Sequence, residues 1–182
     1  MALEQVTSDR ITLGVVVAIP QPHATVLTKW RRESGDLAAD LIWPHVTLLP
    51  PTEVPVAALP EIEAHLSAAA AAVEPFEMHL SGTGTFRPAS PVVFVQVARG
   101  VADCEALEDA IRRGPVAREL DFPYHPHVTV AQNVDDVALD ATYEGLASFV
   151  ARFRVSHFVL FHREPDQRWQ WRTEFPLGSP ST

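Results

Sequence analysis

One short motif occurs twice in the sequence, and it holds the residues best suited to chemistry. Residues 44–48 read Pro-His-Val-Thr-Leu and residues 126–130 read Pro-His-Val-Thr-Val. Both copies are rich in β-branched and aliphatic residues, which predicts a strand at each position. Because side chains alternate along a strand, the His and the Thr of each copy share one face. Two aliphatic residues point to the other face and would anchor the strand.

If the two strands face one another, four polar side chains meet in a single pocket: His45, Thr47, His127 and Thr129. Two imidazoles can divide acid–base catalysis, since one accepts a proton while the other donates one. The two hydroxyls can donate hydrogen bonds to an anion held between the histidines. A phosphodiester needs these roles and does not require a metal. The motif pair therefore predicts a phosphoesterase with these four catalytic residues.

Residues next to the motifs are candidates for substrate binding. Trp43 and Tyr124 precede the two copies and could stack on a base, although packing against the core is an equal alternative. Arg87 follows the glycine-containing segment 82–84 and could reach a phosphate, or it could be a solvated loop residue. The two glycines favour a bend or a close backbone approach over a nucleotide-binding loop, since no lysine follows.

His125 opens an alternative in which the site holds a metal. It lies two residues before His127 and shares its face of the strand, so a site built from His45, His125 and His127 is conceivable. Three histidines without an evident carboxylate partner make a poor match to the usual zinc sites. We therefore expect no metal and no other cofactor, and we expect His125 to contact the substrate from the rim.

Hydrophobic periodicity predicts an α+β chain whose second half repeats the first. Strands are predicted at 11–19, 41–49, 76–86, 92–97, 128–131, 153–161 and 168–175, and helices at 23–34, 60–73, 101–113 and 137–149. Pro50 and Pro51 are expected to end the first motif strand. The simplest architecture places one motif strand in each of two lobes around a cleft. Residues 1–177 would form this single two-lobed domain, and residues 178–182 a flexible tail.

Composition limits the partners and the compartment. The net charge of −9 argues against binding long duplex nucleic acid, and it leaves room for a small phosphorylated ligand or an RNA end. Cys104 is the single cysteine, which excludes an intramolecular disulfide and a cysteine-based zinc cluster and suggests a reducing compartment. The apolar run 11–19 is too short to span a membrane, and acidic residues precede it. We expect a cytoplasmic protein without membrane contact.

The sequence resembles the two-histidine phosphoesterases, and specifically their bacterial and archaeal 2′-5′ RNA ligase-like branch. The resemblance rests on residues 45–48 and 127–130, which both match a His-hydrophobic-Thr-hydrophobic signature. Residues 82–86 are similar to the glycine-turn-Phe segment between the family's motifs. Residues 171–177 are similar to the tryptophan and Phe-Pro-Leu that close the family's domain. Together these segments extend the resemblance over roughly residues 11–177.

The resemblance implies a bilobal fold with pseudo-twofold symmetry, in which two antiparallel-rich sheets with flanking helices surround a central cleft. It also implies metal-independent action on 2′,3′-cyclic phosphates or 2′-5′ linkages of RNA ends or nucleotides. His45 and His127 would be the acid–base pair, and Thr47 and Thr129 would bind phosphate. Phe86, from the glycine-turn-Phe segment, joins the substrate-binding candidates.

The resemblance leaves the substrate and the roles of the two histidines open. The family processes RNA ends, nucleotide cyclic phosphates or ADP-ribose cyclic phosphate, and the sequence does not choose among them or say which histidine is the base. A module of the same fold that binds a nucleotide or an RNA end without turnover is the alternative function. We expect the protein to be a monomer.

Overall fold

The computed structural model describes residues 9–178, so the predicted tail at 178–182 lies outside the described residues apart from Gly178. Eight strands, four α-helices and two short 3₁₀ helices, at Leu37–Asp40 and Val56–Ala58, occur in this part of the chain. The strands and α-helices follow one another in a fixed order. They are β1 (Arg10–Ala18), α1 (His23–Glu33), β2 (His45–Pro55), α2 (Leu59–Ala71), β3 (Phe76–Thr85), β4 (Val92–Arg99), α3 (Val101–Arg112), β5 (His127–Gln132), α4 (Asp136–Gly145), β6 (Val150–Val155), β7 (His157–Arg163) and β8 (Trp169–Pro176).

The strands form two four-stranded sheets, with the orders β2-β1-β7-β8 and β5-β4-β3-β6. The paired strands within each sheet run antiparallel. Each motif strand, β2 or β5, lies at one edge of its sheet, and these two edge strands contact each other. Helix α1 packs near β5 and helix α3 packs near β2, so each lobe covers part of the other. The predicted α+β fold of two lobes around a cleft is confirmed.

The internal duplication is visible in the strand register. The equivalent pairs are Ala18 with His45 and Val16 with Thr47 in the first sheet, and Gln96 with His127 and Phe94 with Thr129 in the second. Directly after each threonine a bulge follows, which leaves Leu48 or Val130 without a partner in the register. Bulges bend a strand and redirect its side chains. The same device therefore shapes both halves of the cleft.

The prediction that Pro50 and Pro51 end the first motif strand was wrong, because β2 continues to Pro55. Thr52 pairs with Leu13 and Leu49 pairs with Val15, so the two prolines fall in a second irregularity of the register. Proline is tolerated at bulges and on edge strands, where its missing N–H breaks no ladder hydrogen bond. Strand β2 offers both conditions.

The segment 153–161, predicted as one strand, is divided between two sheets. Strand β6 ends at Val155 in the second sheet, and β7 begins at His157 in the first. The exposed Ser156 between them marks the crossing from one lobe to the other. No glycine or proline interrupts the apolar pattern there, so the local sequence carries no signal for the break.

Candidate active site

The two motif strands bring their polar residues to one cavity. Four aliphatic residues face the core and are at most 1% exposed: Val46, Leu48, Val128 and Val130. The opposite faces carry the half-buried His45, Thr47, His127 and Thr129, and all four line a cavity of about 340 Å³ between the lobes. The predicted alternation along both strands is thus present, and it places two imidazoles and two hydroxyls together.

Each motif histidine is oriented by a backbone carbonyl two residues earlier in the chain. Nδ1 of His45 lies 2.7 Å from the Trp43 carbonyl oxygen, and Nδ1 of His127 lies 2.6 Å from the His125 carbonyl oxygen. A carbonyl oxygen only accepts, so Nδ1 is the donor in both rings. Nε2 of each neutral imidazole therefore keeps its lone pair, and the two halves of the site hold the same tautomer.

The surroundings of both imidazoles favour the neutral form. The pKa of His45 is lowered to about 4, chiefly by burial and also by the charges of Arg31 and His127, while the hydrogen bond to the Trp43 carbonyl opposes the shift. Burial also lowers the pKa of His127. The hydrogen bond to the His125 carbonyl opposes this shift, and the charge of the His125 ring adds to it. Both rings are accordingly neutral at pH 7 in the free protein.

A buried ion pair next to His45 was missed by the sequence predictions. Arg31 of α1 is 6% exposed and lines the same cavity as the motif residues. Its Nε donates to Oδ2 of Asp36 at 2.8 Å, and that oxygen also accepts from the backbone N–H of Gln132 at 3.2 Å. Gln132 ends β5, so the Asp36 carboxylate joins α1 of one lobe to the motif strand of the other.

A signal for Arg31 exists in the sequence, in the spacing of α1. The apolar residues Val26, Leu27 and Trp30 recur at helical spacing in this segment, but the buried residues of α1 are Ala24, Leu27 and Arg31. Val26 is 41% exposed. Arginine is rarely buried unless it is paired, so an arginine four residues after Leu27 on the inner stripe indicates a structural or functional charge.

Three of the predicted substrate-binding residues lie beside the catalytic cavity. Phe86, Tyr124 and His125 line a second cavity of about 430 Å³, whose wall also includes Thr47 and His127. The Phe86 ring stands at 89° to the His127 ring, with 4.9 Å between centroids. The Tyr124 hydroxyl donates to the Thr47 carbonyl oxygen at 2.8 Å, which joins the segment before β5 to β2.

The other two candidates lie elsewhere. Trp43 lines a third cavity that adjoins the catalytic one, and its Nε1 donates to the Ile19 carbonyl oxygen at 2.7 Å. The Arg87 guanidinium donates to Asp140 at 2.8 Å and contacts Asp136, and Arg87 lines none of these three cavities. The structure therefore does not bring Arg87 to the motif histidines.

The described residues form neither a metal-binding cluster nor a membrane-crossing helix. Between residues 9 and 178, no group of three or more His, Cys, Asp or Glu side chains is placed to hold a metal ion. The set of His45, His125 and His127 is thus not assembled as a metal site there. In the same part of the chain, no helix has the length and apolar character needed to cross a membrane.

Comparison with solved structures identifies the same fold in other proteins. Escherichia coli LigT complexed with 3′-AMP has a TM-score of 0.69 and 18% sequence identity, and the match covers 93% of this chain and 99% of LigT. Usb1 of Kluyveromyces marxianus has a TM-score of 0.51 and 15% identity, with 93% and 98% of the two chains covered. At these identities the likeness concerns the fold.

Sequence comparison gives the family. A Bacillus cytotoxicus protein named "putative phosphoesterase" is 28% identical over 172 residues, which cover 93% of this chain and 98% of that protein. The model of the 2′-5′ RNA ligase superfamily matches residues 19–167, a range that includes both motif strands. This chain therefore belongs to the 2′-5′ RNA ligase superfamily, a family of two-histidine phosphoesterases.

Proposed function

We propose that the protein is a metal-independent phosphoesterase for the 2′,3′-cyclic phosphate or 2′-5′ phosphodiester of an RNA end or a nucleotide. His45 and His127 are its acid–base pair, and Thr47 and Thr129 hold the phosphoryl oxygens. The observation that carries this proposal is the matched orientation of the two imidazoles. Each Nδ1–H donates to a backbone carbonyl oxygen, so Nε2 of each neutral ring keeps its lone pair, and both rings line the same cavity.

The proposed reaction is an attack on phosphorus with two proton transfers. Nε2 of one neutral imidazole accepts a proton from water as the new P–O bond forms. The second imidazole, protonated, donates its proton to the ribose oxygen as the other P–O bond breaks. The two threonine hydroxyls donate hydrogen bonds to the phosphoryl oxygens, and the buried Arg31 adds positive charge to the same cavity.

The cavity suits a phosphate carried by a nucleoside. The second cavity shares Thr47 and His127 with the catalytic one and is lined by aromatic side chains, as a base requires. E. coli LigT, which shares the fold, has been solved with 3′-AMP and with phosphate. These complexes support a nucleotide as the ligand of the corresponding cleft in this protein.

Hydrolysis of 2′,3′-cyclic AMP in excess EDTA tests the proposal. We expect turnover to survive the chelator, since no step in the mechanism uses a metal. The position of the product phosphate, on O2′ or O3′, identifies the bond that breaks. Loss of turnover on adding EDTA, with recovery on adding a divalent metal, would contradict metal independence. Thermal stabilisation by nucleotides without any product would instead indicate a binding module.

The pH dependence of kcat/KM should have its maximum at acidic pH. Catalysis needs one neutral and one protonated imidazole, and the population with a single shared proton is greatest between the two macroscopic pKa values of the free protein. The pKa of His45 is lowered to about 4 and that of His127 is also lowered from 6.5, so this population declines above pH 6.5.

The profile of kcat should lie at higher pH than the profile of kcat/KM. A bound phosphate is negatively charged and raises the pKa of an imidazole next to it, which keeps the acid protonated in the complex. Initial rates between pH 4 and pH 9, at limiting and at saturating substrate, separate the two profiles. A kcat/KM that is constant from pH 6 to pH 8 would be incompatible with this pair of histidines.

A further inference from the structure

The third cavity is the largest of those around the catalytic residues, with a volume of about 670 Å³. It lies between α1, the segment before β2 and the start of β8. Ile42, Phe161 and Trp169 line both this cavity and the catalytic one, so these three side chains form the wall between them. A ligand held at the motif histidines therefore has another compartment next to it, which shares no lining residue with the cavity of Phe86 and Tyr124.

Aromatic rings dominate this third cavity. Trp43, Trp169 and Trp171, which are three of the chain's four tryptophans, line it. Trp43 is 40% exposed and Trp171 is 45% exposed, although tryptophan is usually well covered. The Trp43 ring is held by its Nε1 bond to Ile19, and the Trp171 ring packs against Phe161 at 5.4 Å between centroids. Exposed rings held in this way provide stacking surfaces for nucleobases.

Gly14 of β1 lets the Trp169 ring pack against the sheet. A Cβ atom at Gly14 of β1 would lie 3.1 Å from Cζ3 of Trp169, so the indole lies directly against the sheet. Arg163 adds a cation over the same ring, 5.9 Å from its centroid. The backbone N–H of Trp169 donates to the Leu41 carbonyl oxygen at 2.8 Å, which joins β8 to the segment before β2. The wall between the two cavities is thus supported from several sides.

The charge of the third cavity is opposite to that of the whole chain. Its lining includes the cations Lys29, Arg32 and Arg168 and the single anion Asp40. Arg32 pairs with the Asp40 carboxylate, and Arg168 donates to the Asp40 backbone oxygen at 3.3 Å. Lys29 and Arg168 also form exposed ion pairs with Glu33 at 3.8 Å and Asp166 at 3.4 Å, carboxylates that do not line the cavity. In the second cavity, by contrast, Glu108 and Asp121 accompany Arg118 as the formally charged residues. In a chain of net charge −9, the linings of the third cavity and of the catalytic cavity carry more cations than anions, so the third cavity suits an anionic ligand better than the second cavity does.

We propose that this third cavity is a subsite for a second nucleotide, with a base against the tryptophans and a phosphate near Lys29, Arg32 and Arg168. The inference rests on the proposed function, since it places the reacting phosphate between His45 and His127. It narrows the substrate to molecules with another base and another phosphate beyond the reacting group. An RNA end and a nucleoside diphosphate linked to the reacting ribose share this chemistry, whereas a cyclic mononucleotide lacks it.

The test compares kcat/KM for a ribodinucleotide ending in a 2′,3′-cyclic phosphate with kcat/KM for 2′,3′-cyclic AMP. We expect the native protein to prefer the dinucleotide by about tenfold or more, which is the scale of one base stacked on an aromatic side chain. Trp171→Ala should reduce this ratio about tenfold, and Trp171→Phe should retain most of it. Arg168→Gln should reduce both the ratio and its dependence on salt.

Arg172→Gln is the matched control for Arg168→Gln. Arg172 lies on β8, shortly after Arg168 in the chain, but it pairs with Glu63 of α2 at 3.0 Å and lines none of the three cavities. Its substitution should leave the selectivity ratio unchanged.

ADP-ribose cyclic phosphate is a further substrate in the experiment. Its kcat/KM is likewise divided by that for 2′,3′-cyclic AMP. If this ratio exceeds the ratio for the dinucleotide and falls in Trp171→Ala, the result supports the subsite and identifies a pyrophosphate-linked ligand.

Failure of the subsite is distinguishable from failure of the proposed function. Equal kcat/KM for mononucleotide and both larger substrates, with no change in Trp171→Ala or Arg168→Gln, would overturn the subsite while leaving the phosphoesterase intact. Absence of turnover with every one of these substrates would overturn the proposed function, and the subsite with it.

Discussion

Replacement of His45 or His127 with alanine is expected to lower kcat/KM for a 2′,3′-cyclic nucleotide by about 10²–10⁴-fold, the range typical of a lost general acid or base. Each variant retains one imidazole but has no partner to complete the proton transfers. The loss should appear in kcat as well as in kcat/KM, because the proton moves only in the transition state. Steady-state kinetics in EDTA, with circular dichroism to confirm folding, measure the effect.

His157→Ala provides the control for a general effect of removing a histidine. His157 begins β7, is half-buried and lines none of the three cavities around the motif residues. We expect its kinetics to match those of the native protein. Retention of more than about a tenth of native kcat/KM in either His45→Ala or His127→Ala would contradict the acid–base assignment, given the usual size of this contribution.

Replacement of Arg31 with leucine is expected to reduce the free energy of unfolding by about 3–5 kcal/mol, because it leaves the Asp36 carboxylate buried without its cation. Both side chains are almost fully buried, at 7% and 4% exposed, and their N···O distance is 2.8 Å. The loss of the arginine charge should also raise the pKa of His45, which that charge lowers. Denaturant unfolding and the acid limb of the kcat/KM profile report the two effects.

Arg32 is the natural comparison, since it is the next residue and also forms an ion pair. Arg32 and Asp40 are each 59% exposed, and such pairs contribute at most about 1 kcal/mol. Arg32→Leu should therefore change stability far less than Arg31→Leu. Adding Asp36→Asn to Arg31→Leu removes the isolated charge and should restore part of the lost stability. Equal costs for the two single substitutions would show that the buried pair has no special role.

Much of the central site could be predicted from the sequence because its spacing is local. The two-residue alternation of a strand relates His45 to Thr47 without any knowledge of the fold, and the same holds for the second copy. The repeated order of elements then predicted that the copies lie in separate sheets. Only the contact between the two edge strands, β2 and β5, across the cleft required tertiary information. The edge position of β2 also explains how this strand accommodates Pro50 and Pro51.

The remaining parts of the site depend on contacts between distant segments. Asp36 receives the N–H of Gln132 from almost one hundred residues away, and no local pattern predicts that partner. Arg87 lies close in sequence to Phe86, but α4 holds its guanidinium away from the cleft. Ser156 shows the same limit, since the chain changes sheets there without a glycine or proline. The third cavity likewise combines α1 with β8, which are separated by most of the chain.

The central claim is that the two imidazoles act as one catalytic pair, and kcat/KM of the double variant His45→Ala/His127→Ala tests it most directly. Residues that act as a unit are strongly non-additive, because removing either one already disables the mechanism. We therefore expect the double variant to hydrolyse 2′,3′-cyclic AMP in EDTA no more slowly than the slower single variant. A double variant whose loss equals the product of the two single losses would show independent contributions and contradict the paired mechanism.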